Sequence, residues 1–156
     1  MLQLVVLSID DHQYALPLSA VEKVFPIVEI THLPQVPAIV AGIVNVQGEV
    51  MPVFDIRKRL DLPSRAIKIT DQLILASTTK RHVGLIADQV LGLVECAEQD
   101  IVDTDDVYPN VYMSGVAKLK DGILLIHNLD KFLSIEEESL LEEAINLLEY
   151  NPRFLS

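Results

Sequence analysis

Histidine and cysteine are the residues of this chain best suited to metal ligation, acid–base chemistry or nucleophilic attack. The sequence has one cysteine, Cys96, and four histidines that lie far apart: His12, His32, His82 and His127. A metal site or general base built from them would require the fold to bring them together. His127 lies in an apolar strand pattern, which predicts a packed structural histidine. Cys96 follows a glutamate, whose charge disfavours the thiolate that a nucleophile needs.

Motifs of known reactions are missing from the sequence. It has no glycine-rich phosphate loop followed by lysine, no nucleophile elbow, no His-Glu-x-x-His and no paired cysteines. An acidic cluster of Asp103, Asp105 and Asp106 lacks the ligand spacing and turn glycine of a calcium loop, and it predicts a solvated loop. We therefore predict no catalytic residues, no metal and no cofactors. The chain is expected to work by binding and not as an enzyme.

The composition favours a compact protein with protein partners. The 156 residues are 50% hydrophobic with a mean hydropathy of +0.34, which is ample for a core. A net charge of −11 opposes contact with nucleic acid and with anionic membranes. No segment approaches the roughly 20 apolar residues that span a bilayer, and the N-terminus lacks a basic signal region. We predict a cytoplasmic protein without nucleic-acid partners or membrane insertion.

The elements that would position a binding surface are mostly strands. Apolar residues alternate over Val5–Ile9 and return over Tyr14–Leu16 after a polar turn, which predicts a hairpin. Leu73–Ser77 and Val83–Ala87 repeat this arrangement later in the chain. Val21–Phe25 predicts a further strand, which the following proline ends.

The sequence contains an internal repeat. The run that begins at Gly42 is similar to the run that begins at Gly115, 73 residues later. Gly48 and the pair Asp121-Gly122 occupy equivalent positions between apolar runs, where a tight hairpin needs residues that tolerate positive φ. The period is too long for a solenoid unit, so the repeat predicts a duplicated small barrel or sheet.

One helix is predicted, at the C-terminal end. Ser134 can cap it, and Glu137 three residues later completes a capping box. Apolar residues follow at helical spacing and form one stripe, which we expect to pack on the protein's own barrel: Leu140, Leu141, Ala144, Ile145 and Leu148.

Three segments resemble the blocks of CheW-like domains. The first is Gly42-Ile43-Val44-Asn45-Val46-Gln47-Gly48-Glu49-Val50-Met51-Pro52-Val53-Phe54-Asp55-Ile56-Arg57, in which Gly, Asn, Gly, Pro and Asp follow at the spacing of the family signature. Val83-Gly84-Leu85-Ile86-Ala87-Asp88-Gln89-Val90 is similar to the second block, and 123–129 to the closing strand. The resemblance extends from about Leu2 to Leu148.

The resemblance implies a mainly β fold of two five-stranded SH3-like barrels that share a core, with a C-terminal helix. Residues 1–156 would form a single CheW-like domain. One barrel would use 1–62 with 134–150, and the other 70–133. The residues expected to build the motif are Gly42, Asn45, Gly48, Pro52, Asp55, Gly84 and Asp88.

The resemblance also implies a function in bacterial chemosensory signal transduction. CheW-like adaptors couple the cytoplasmic tips of chemoreceptors to the regulatory domain of a CheA-type histidine kinase. Carried over by position, the partner-binding residues are Val21, Lys23, Val24, Val46, Gln47, Val50, Val83 and Leu85. The chain departs from the family pattern at Lys23, where glutamate is usual, and at Gln47, where arginine is usual.

Three interpretations follow from these observations. The first is an adaptor of receptors and kinase. The second is a divergent module of the same fold that engages another regulator or inhibits signalling, which the changes at Lys23 and Gln47 favour. The third, a nucleic-acid-binding barrel, is disfavoured by the acidic charge and by an aromatic content of only 5%. Self-association through exposed barrel edges is left open.

Overall fold

The computed structural model of this chain describes residues 1–104 and 112–150. Asp105 and Asp106 of the expected acidic loop lie outside the described residues, whereas Asp103 ends a strand. The elements in the described part are β1 (Leu2–Ile9), β2 (His12–Pro17), β3 (Val21–Pro26), β4 (Val40–Val46), β5 (Glu49–Phe54), α1 (Ile56–Arg59), β6 (Gln72–Ser77), β7 (His82–Ala87), β8 (Gln89–Cys96), β9 (Ile101–Asp103), β10 (Met113–Leu119), β11 (Gly122–His127) and α2 (Ile135–Tyr150).

The strands form two sheets. The six-stranded sheet has the order β8-β1-β2-β11-β10-β9, and the five-stranded sheet has the order β3-β6-β7-β5-β4. Neighbouring strands are antiparallel except where β11 pairs with β2 and β5 pairs with β7, which are parallel. The two sheets therefore share one plan, as the sequence repeat predicts.

The repeats are interleaved between the sheets, so the expected division at residues 62 and 70 does not coincide with them. β1 and β2 belong to the same sheet as β10 and β11, while β6 and β7 join β3, β4 and β5. The chain crosses between sheets at the short turn Leu18–Ala20 and again at Asp88. The segment 60–70, which contains the boundary expected between the two barrels, leads from α1 to β6 on the five-stranded side. The reason is the parallel pairing, which joins the first hairpin of each repeat to the last hairpin of the other.

Most of the buried apolar residues form one cluster on each sheet and a larger cluster between the two sheets. One apolar cluster packs on the six-stranded sheet around Leu4, Ala15 and Leu124, and a second packs on the five-stranded sheet around Val53 and Leu73. The largest cluster lies between the sheets and contains fully buried side chains from both sheets and from the segment before α2, among them Leu7, Ile9, Leu16, Phe54, Ile74, Leu85 and Phe132. The shared core implied by the family resemblance is present.

The β4–β5 turn explains three residues of the sequence motif. Gln47 and Gly48 both have positive φ, 53° and 89°, which matches the twist of a two-residue hairpin turn. The backbone N–H of Gly48 donates a hydrogen bond of 2.9 Å to Oδ1 of Asn45. Gly42 has another role, because a Cβ there would lie 2.2 Å from the carbonyl oxygen of Thr31.

The remaining motif residues also have structural contacts. Pro52 is buried in β5 just before the residues that pair with β7, where its missing N–H is not needed. The Asp55 carboxylate accepts a hydrogen bond of 3.2 Å from the backbone N–H of Arg57 and caps α1. Gly84 is buried, and a Cβ there would lie 2.9 Å from Leu73.

Asp88 lies in an ion-pair network that connects the two sheets. Its carboxylate accepts two hydrogen bonds from the Arg57 guanidinium, at 2.8 and 2.9 Å, and one of 2.6 Å from Arg65. It also accepts a hydrogen bond of 2.8 Å from the backbone N–H of Asp10, in the β1–β2 turn. Arg57 bonds the Asp10 carboxylate, and Arg65 bonds Asp71. Burial opposes ionisation of Asp88, but the donors from Asp10, Arg57 and Arg65 outweigh it and lower the pKa of that carboxyl.

Helix α2 begins with the predicted capping box. The Ser134 hydroxyl accepts a hydrogen bond of 3.1 Å from the Glu137 N–H, and the Ser134 N–H donates to the Glu137 carboxylate at 2.9 Å. Leu141, Ala144 and Leu148 are buried and Ile145 is half-buried against the rest of the protein, as expected for the apolar stripe. Leu140 is 46% exposed, so its expected packing on the barrel was wrong. Among the described residues, none of the helices combines the length and hydrophobicity needed to cross a bilayer.

Candidate partner-binding surface

The predicted partner-binding residues divide into exposed and buried groups. Lys23 and Gln47 are exposed, and Val24 on the edge strand β3 is 38% exposed. Val21, Val46 and Val50 are half-buried and contact three different apolar clusters. These six residues lie on the five-stranded sheet and its β4–β5 turn.

Val83 and Leu85 do not belong to this surface. Both side chains are 0% exposed and lie in the cluster between the sheets. Strand alternation explains why Val83 and Leu85 are buried. Gly84 and Ile86 face the apolar cluster around Val53 and Leu73, whereas Val83 and Leu85 point the opposite way, toward the other sheet. β7 has apolar residues on both of its faces, as is usual for a strand that is covered on both sides.

A charged rim lies at the end of the five-stranded sheet where β3 and β7 begin and the β4–β5 turn is located. We define it by Glu22, Lys23, Gln47, Glu49 and His82. The His82 imidazole contacts two carboxylates, with Nδ1 2.6 Å from Glu49 Oε1 and Nε2 3.2 Å from Glu22 Oε1. One side chain thus connects β3, β5 and β7.

The two carboxylates favour the charged form of His82. The hydrogen bond to Glu49 and the negative charge of Glu22 raise the pKa of His82 above its ordinary 6.5. Only the imidazolium can donate to both carboxylates, since a neutral imidazole has one N–H. A group whose folded-state pKa is raised stabilises the fold below its unfolded pKa, and this contribution is lost as the pH rises through the folded pKa.

Lys23 and Gln47 form no hydrogen bond with one another among the described residues. Lys23 pairs with Leu75 on the edge of the sheet, and Gln47 is at the tip of the hairpin. Glu22 instead accepts a hydrogen bond of 2.7 Å from the Ser77 hydroxyl in addition to its contact with His82. In this rim the Glu22 carboxylate is therefore held by Ser77 and His82, while Lys23 remains exposed.

A groove continues from the rim along β5, beside helix α2. It comprises two adjoining cavities of about 440 and 230 Å³ that share Val50, Pro52 and Ile145 in their walls. His82 and Glu49 line the larger cavity, so the groove opens directly onto the charged rim. Val50 is the predicted binding residue that lines both cavities.

Two residues that the sequence analysis considered for chemistry, His127 and Cys96, are buried in the fold. His127 is 3% exposed and packs against Tyr14, with ring centroids 4.9 Å apart, and burial lowers its pKa to about 4. Cys96 is buried in the six-stranded sheet. Residues 1–104 and 112–148 contain no group of three or more histidine, cysteine or acidic side chains arranged to hold a metal ion.

The family model for the CheW-like domain matches residues 3–137. The chain belongs to the CheW-like family. Curated CheW-like relatives agree with this assignment. The chemotaxis protein CheW of Bacillus subtilis is 28% identical over 138 residues, which cover 88% of this chain and 88% of that protein. The CheW of Rhizobium meliloti is 25% identical over 138 residues, covering 86% and 89%.

A solved CheW structure confirms the fold predicted for this CheW-like chain. The scaffolding protein TtCheW from Thermoanaerobacter tengcongensis matches with a TM-score of 0.78 and 27% identity, covering 86% of this chain and 94% of that one. The two sheets with their shared core are therefore the two SH3-like barrels that the resemblance implies.

The contacts of the CheW-like rim were not predictable from the sequence. His82 is the first residue of β7, and the sequence pattern indicated only a polar turn there. Its contact with Glu49 depends on the parallel pairing of β5 with β7, and its contact with Glu22 on the pairing of β3 with β6. No local signal in the sequence specifies either pairing.

Proposed function

We propose that this protein is a non-enzymatic adaptor that couples chemoreceptors to a CheA-type histidine kinase in the cytoplasm. The observation that carries the proposal is the CheW-like match over residues 3–137. Residues 1–156 would act as a single domain of this kind. Its partners would be the regulatory domain of the kinase and the cytoplasmic tips of the receptors.

The partner-binding surface that we propose includes the charged rim and the groove beside it. Lys23 and Gln47 provide exposed polar contacts, Val24 provides an exposed apolar contact, and the half-buried Val50 provides an apolar contact in the groove. Val21 and Val46 support this surface from below. A groove of apolar lining with a charged edge suits a helical partner, which can bury one face and leave the other in water.

A second candidate function is a CheW-like module that engages another regulator or inhibits signalling. Lys23 and Gln47 favour this alternative, because an adaptor with glutamate and arginine at these positions would present the opposite charge at 23 and an added charge at 47. Charges at an interface decide which partners are rejected. The engaged state of Glu22 adds to this difference, since Glu22 is held by Ser77 and His82.

Calorimetric titration with a kinase regulatory domain and a receptor tip from the same organism tests the proposal. We expect both to bind, and we expect Val24→Ser to weaken binding of at least one partner. Ile123→Ser is the matched control, because Ile123 is also an exposed apolar strand residue but lies on the other sheet. Absence of binding to both domains would remove the coupling function.

The double variant Lys23→Glu with Gln47→Arg distinguishes the two functions. An adaptor already binds the kinase domain, so the substitutions should change its affinity without creating it. Binding that occurs only in the double variant would assign the natural protein to another regulator. Both residues are exposed, so the fold should tolerate the substitutions.

A further inference from the structure

We infer that the outer face of helix α2 docks a basic amphipathic segment of a partner protein. This α2 face consists of Leu140, Glu143 and Leu147 on the helix, together with Leu33 and Pro34 on the facing loop. It lies on a different side of α2 from the groove that borders β5. The inference does not depend on the identity of the receptor or kinase.

Helix α2 carries a second apolar stripe that the fold does not use. Leu140 and Leu147 are 46% and 66% exposed, whereas the inward stripe of Leu141, Ala144 and Leu148 is buried. Leu140, Glu143 and Leu147 follow at steps of three and four residues, which places them on one side of a helix. Leu140 and Leu147 border the same cavity as Leu33 and Pro34, and contiguous apolar residues of this kind mark interaction surfaces.

The facing loop converts this stripe into a groove. Leu33 is buried, and with Pro34 and Gln35 it forms the wall opposite Leu140 and Leu147. The cavity between them has a volume of about 170 Å³, and the apolar side chains of Ala144 and Leu148 also line it. A cavity of this size and lining accepts one large apolar side chain, as in the grooves that hold the anchor residue of a helical peptide.

The charge around the groove specifies the polar part of the partner. The helix Ile135–Tyr150 contains six glutamates and no lysine or arginine. Glu137 and Glu138 are neutralised by Arg59 and Arg81. The other three whose side chains are described are exposed and take part in no ion pair within the described residues: Glu136, Glu142 and Glu143. Glu143 lines this groove and Glu136 lies one helical turn before Leu140, whereas Glu142 lines the groove beside β5. Glu143 and Glu136 therefore place uncompensated negative charge beside the apolar groove.

This charge excludes the other classes of occupant. A second copy of the chain would bring its own acidic α2 face against this one, and like charges opposed at an interface cost several kcal/mol. Nucleic acid and anionic lipid surfaces are repelled in the same way. A helix with leucine-like anchors on one face and lysine or arginine beside them satisfies both properties of the site.

The test uses a synthetic amphipathic peptide of leucine and lysine, with leucines at helical i, i+4, i+7 spacing, titrated into the full chain at physiological ionic strength. We expect binding that the double variant Leu140→Ser with Leu147→Ser weakens by at least about tenfold, since two leucines lose their contacts. Glu136→Gln with Glu143→Gln should weaken binding and reduce its dependence on salt. A peptide with glutamate in place of lysine should not bind.

The matched control is Leu91→Ser with Leu93→Ser on strand β8. These leucines are 45% and 60% exposed, similar to Leu140 and Leu147 on α2, but they lie on the six-stranded sheet. Circular dichroism should show that both double variants remain folded. Equal affinity of the wild type and the α2 variant, or an equal loss in the β8 variant, would overturn the inference. Sedimentation as a dimer that only the α2 variant abolishes would overturn it in favour of a second copy.

Discussion

Replacing Asp88 with asparagine should lower the free energy of unfolding strongly, because the Asp88 carboxylate joins the two sheets. Asp88 accepts hydrogen bonds from two guanidinium groups and one backbone N–H at the crossing between the sheets. Arg57 is the buried partner, with a side chain only 7% exposed. The variant keeps the shape of residue 88 but removes the charge that Arg57 faces.

The magnitude follows from these exposures. Removing one partner of a fully buried pair costs about 3–5 kcal/mol. Asp88 is 28% exposed, and Arg57 keeps its bond of 2.5 Å to Asp10, so part of the charge remains compensated. A hydrogen bond to a charged group contributes about 1.5–3 kcal/mol. We therefore expect a loss of about 2–3 kcal/mol, which lowers Tm by about 4–12 °C for a chain of this size.

Thermal and urea unfolding at neutral pH measure this loss, and Glu95→Gln provides the control. Within the part of the chain that the structure describes, the Glu95 side chain accepts one exposed hydrogen bond of 3.4 Å, from Gln3, so its substitution should change the stability by less than about 0.5 kcal/mol. Because the pKa of Asp88 is lowered in the fold, its contribution is present above its unfolded pKa and lost as the pH falls through the folded value. The difference between wild type and variant should shrink below about pH 4. A loss at neutral pH as small as that of the control would refute the proposed role of the network.

Three further predictions concern the core, a close backbone contact and the rim. Leu85→Ala should lower the free energy of unfolding by about 2–5 kcal/mol, measured by urea unfolding, because the side chain is fully buried; a change below 0.5 kcal/mol would place it on the surface. Gly42→Ala should give little folded protein by circular dichroism, since its Cβ would meet the Thr31 carbonyl at 2.2 Å, and native-like yield would contradict this. In an NMR titration His82 should titrate above 6.5, and Glu49→Gln should lower that pKa; an unchanged value would show that the contact is absent in solution.

Much of the fold could be predicted from sequence because the relevant signals are local. Alternation specified the hairpins at Leu2–Pro17 and Gln72–Ala87, and Ser134 with Glu137 specified the start of α2. The duplication was also visible in the spacing of Gly42 and Gly115. These features depend on periodicity, capping and turn geometry, each of which acts over a few residues.

The interleaving of the repeats could not be predicted, because parallel pairing between distant strands leaves no local pattern. Val53 pairs with Gly84 and Leu125 pairs with Tyr14, contacts that no short segment encodes. The same limit explains the assignment of Leu85 to the partner surface. An apolar strand residue can face a groove or a second sheet, and only the position of that sheet decides which.

The candidate surface was predicted in part. The exposed positions Lys23 and Gln47 were identified by their departure from the family pattern, whereas the carboxylate–histidine contacts around His82 depend on three strands meeting at one end of the sheet. Sequence reasoning therefore identified exposed residues of this candidate surface but not the charged contacts beside them.

The central claim is that this CheW-like chain couples receptors to a kinase, and a reconstitution of the three proteins tests it most directly. Receptor tips presented on vesicles and a CheA-type kinase from the same organism would be sedimented with and without the chain. The account predicts that the kinase sediments with the vesicles only when the chain is present, and that Val24→Ser reduces the sedimented kinase while Ile123→Ser does not. Kinase recovery that is the same with and without the chain would contradict the account.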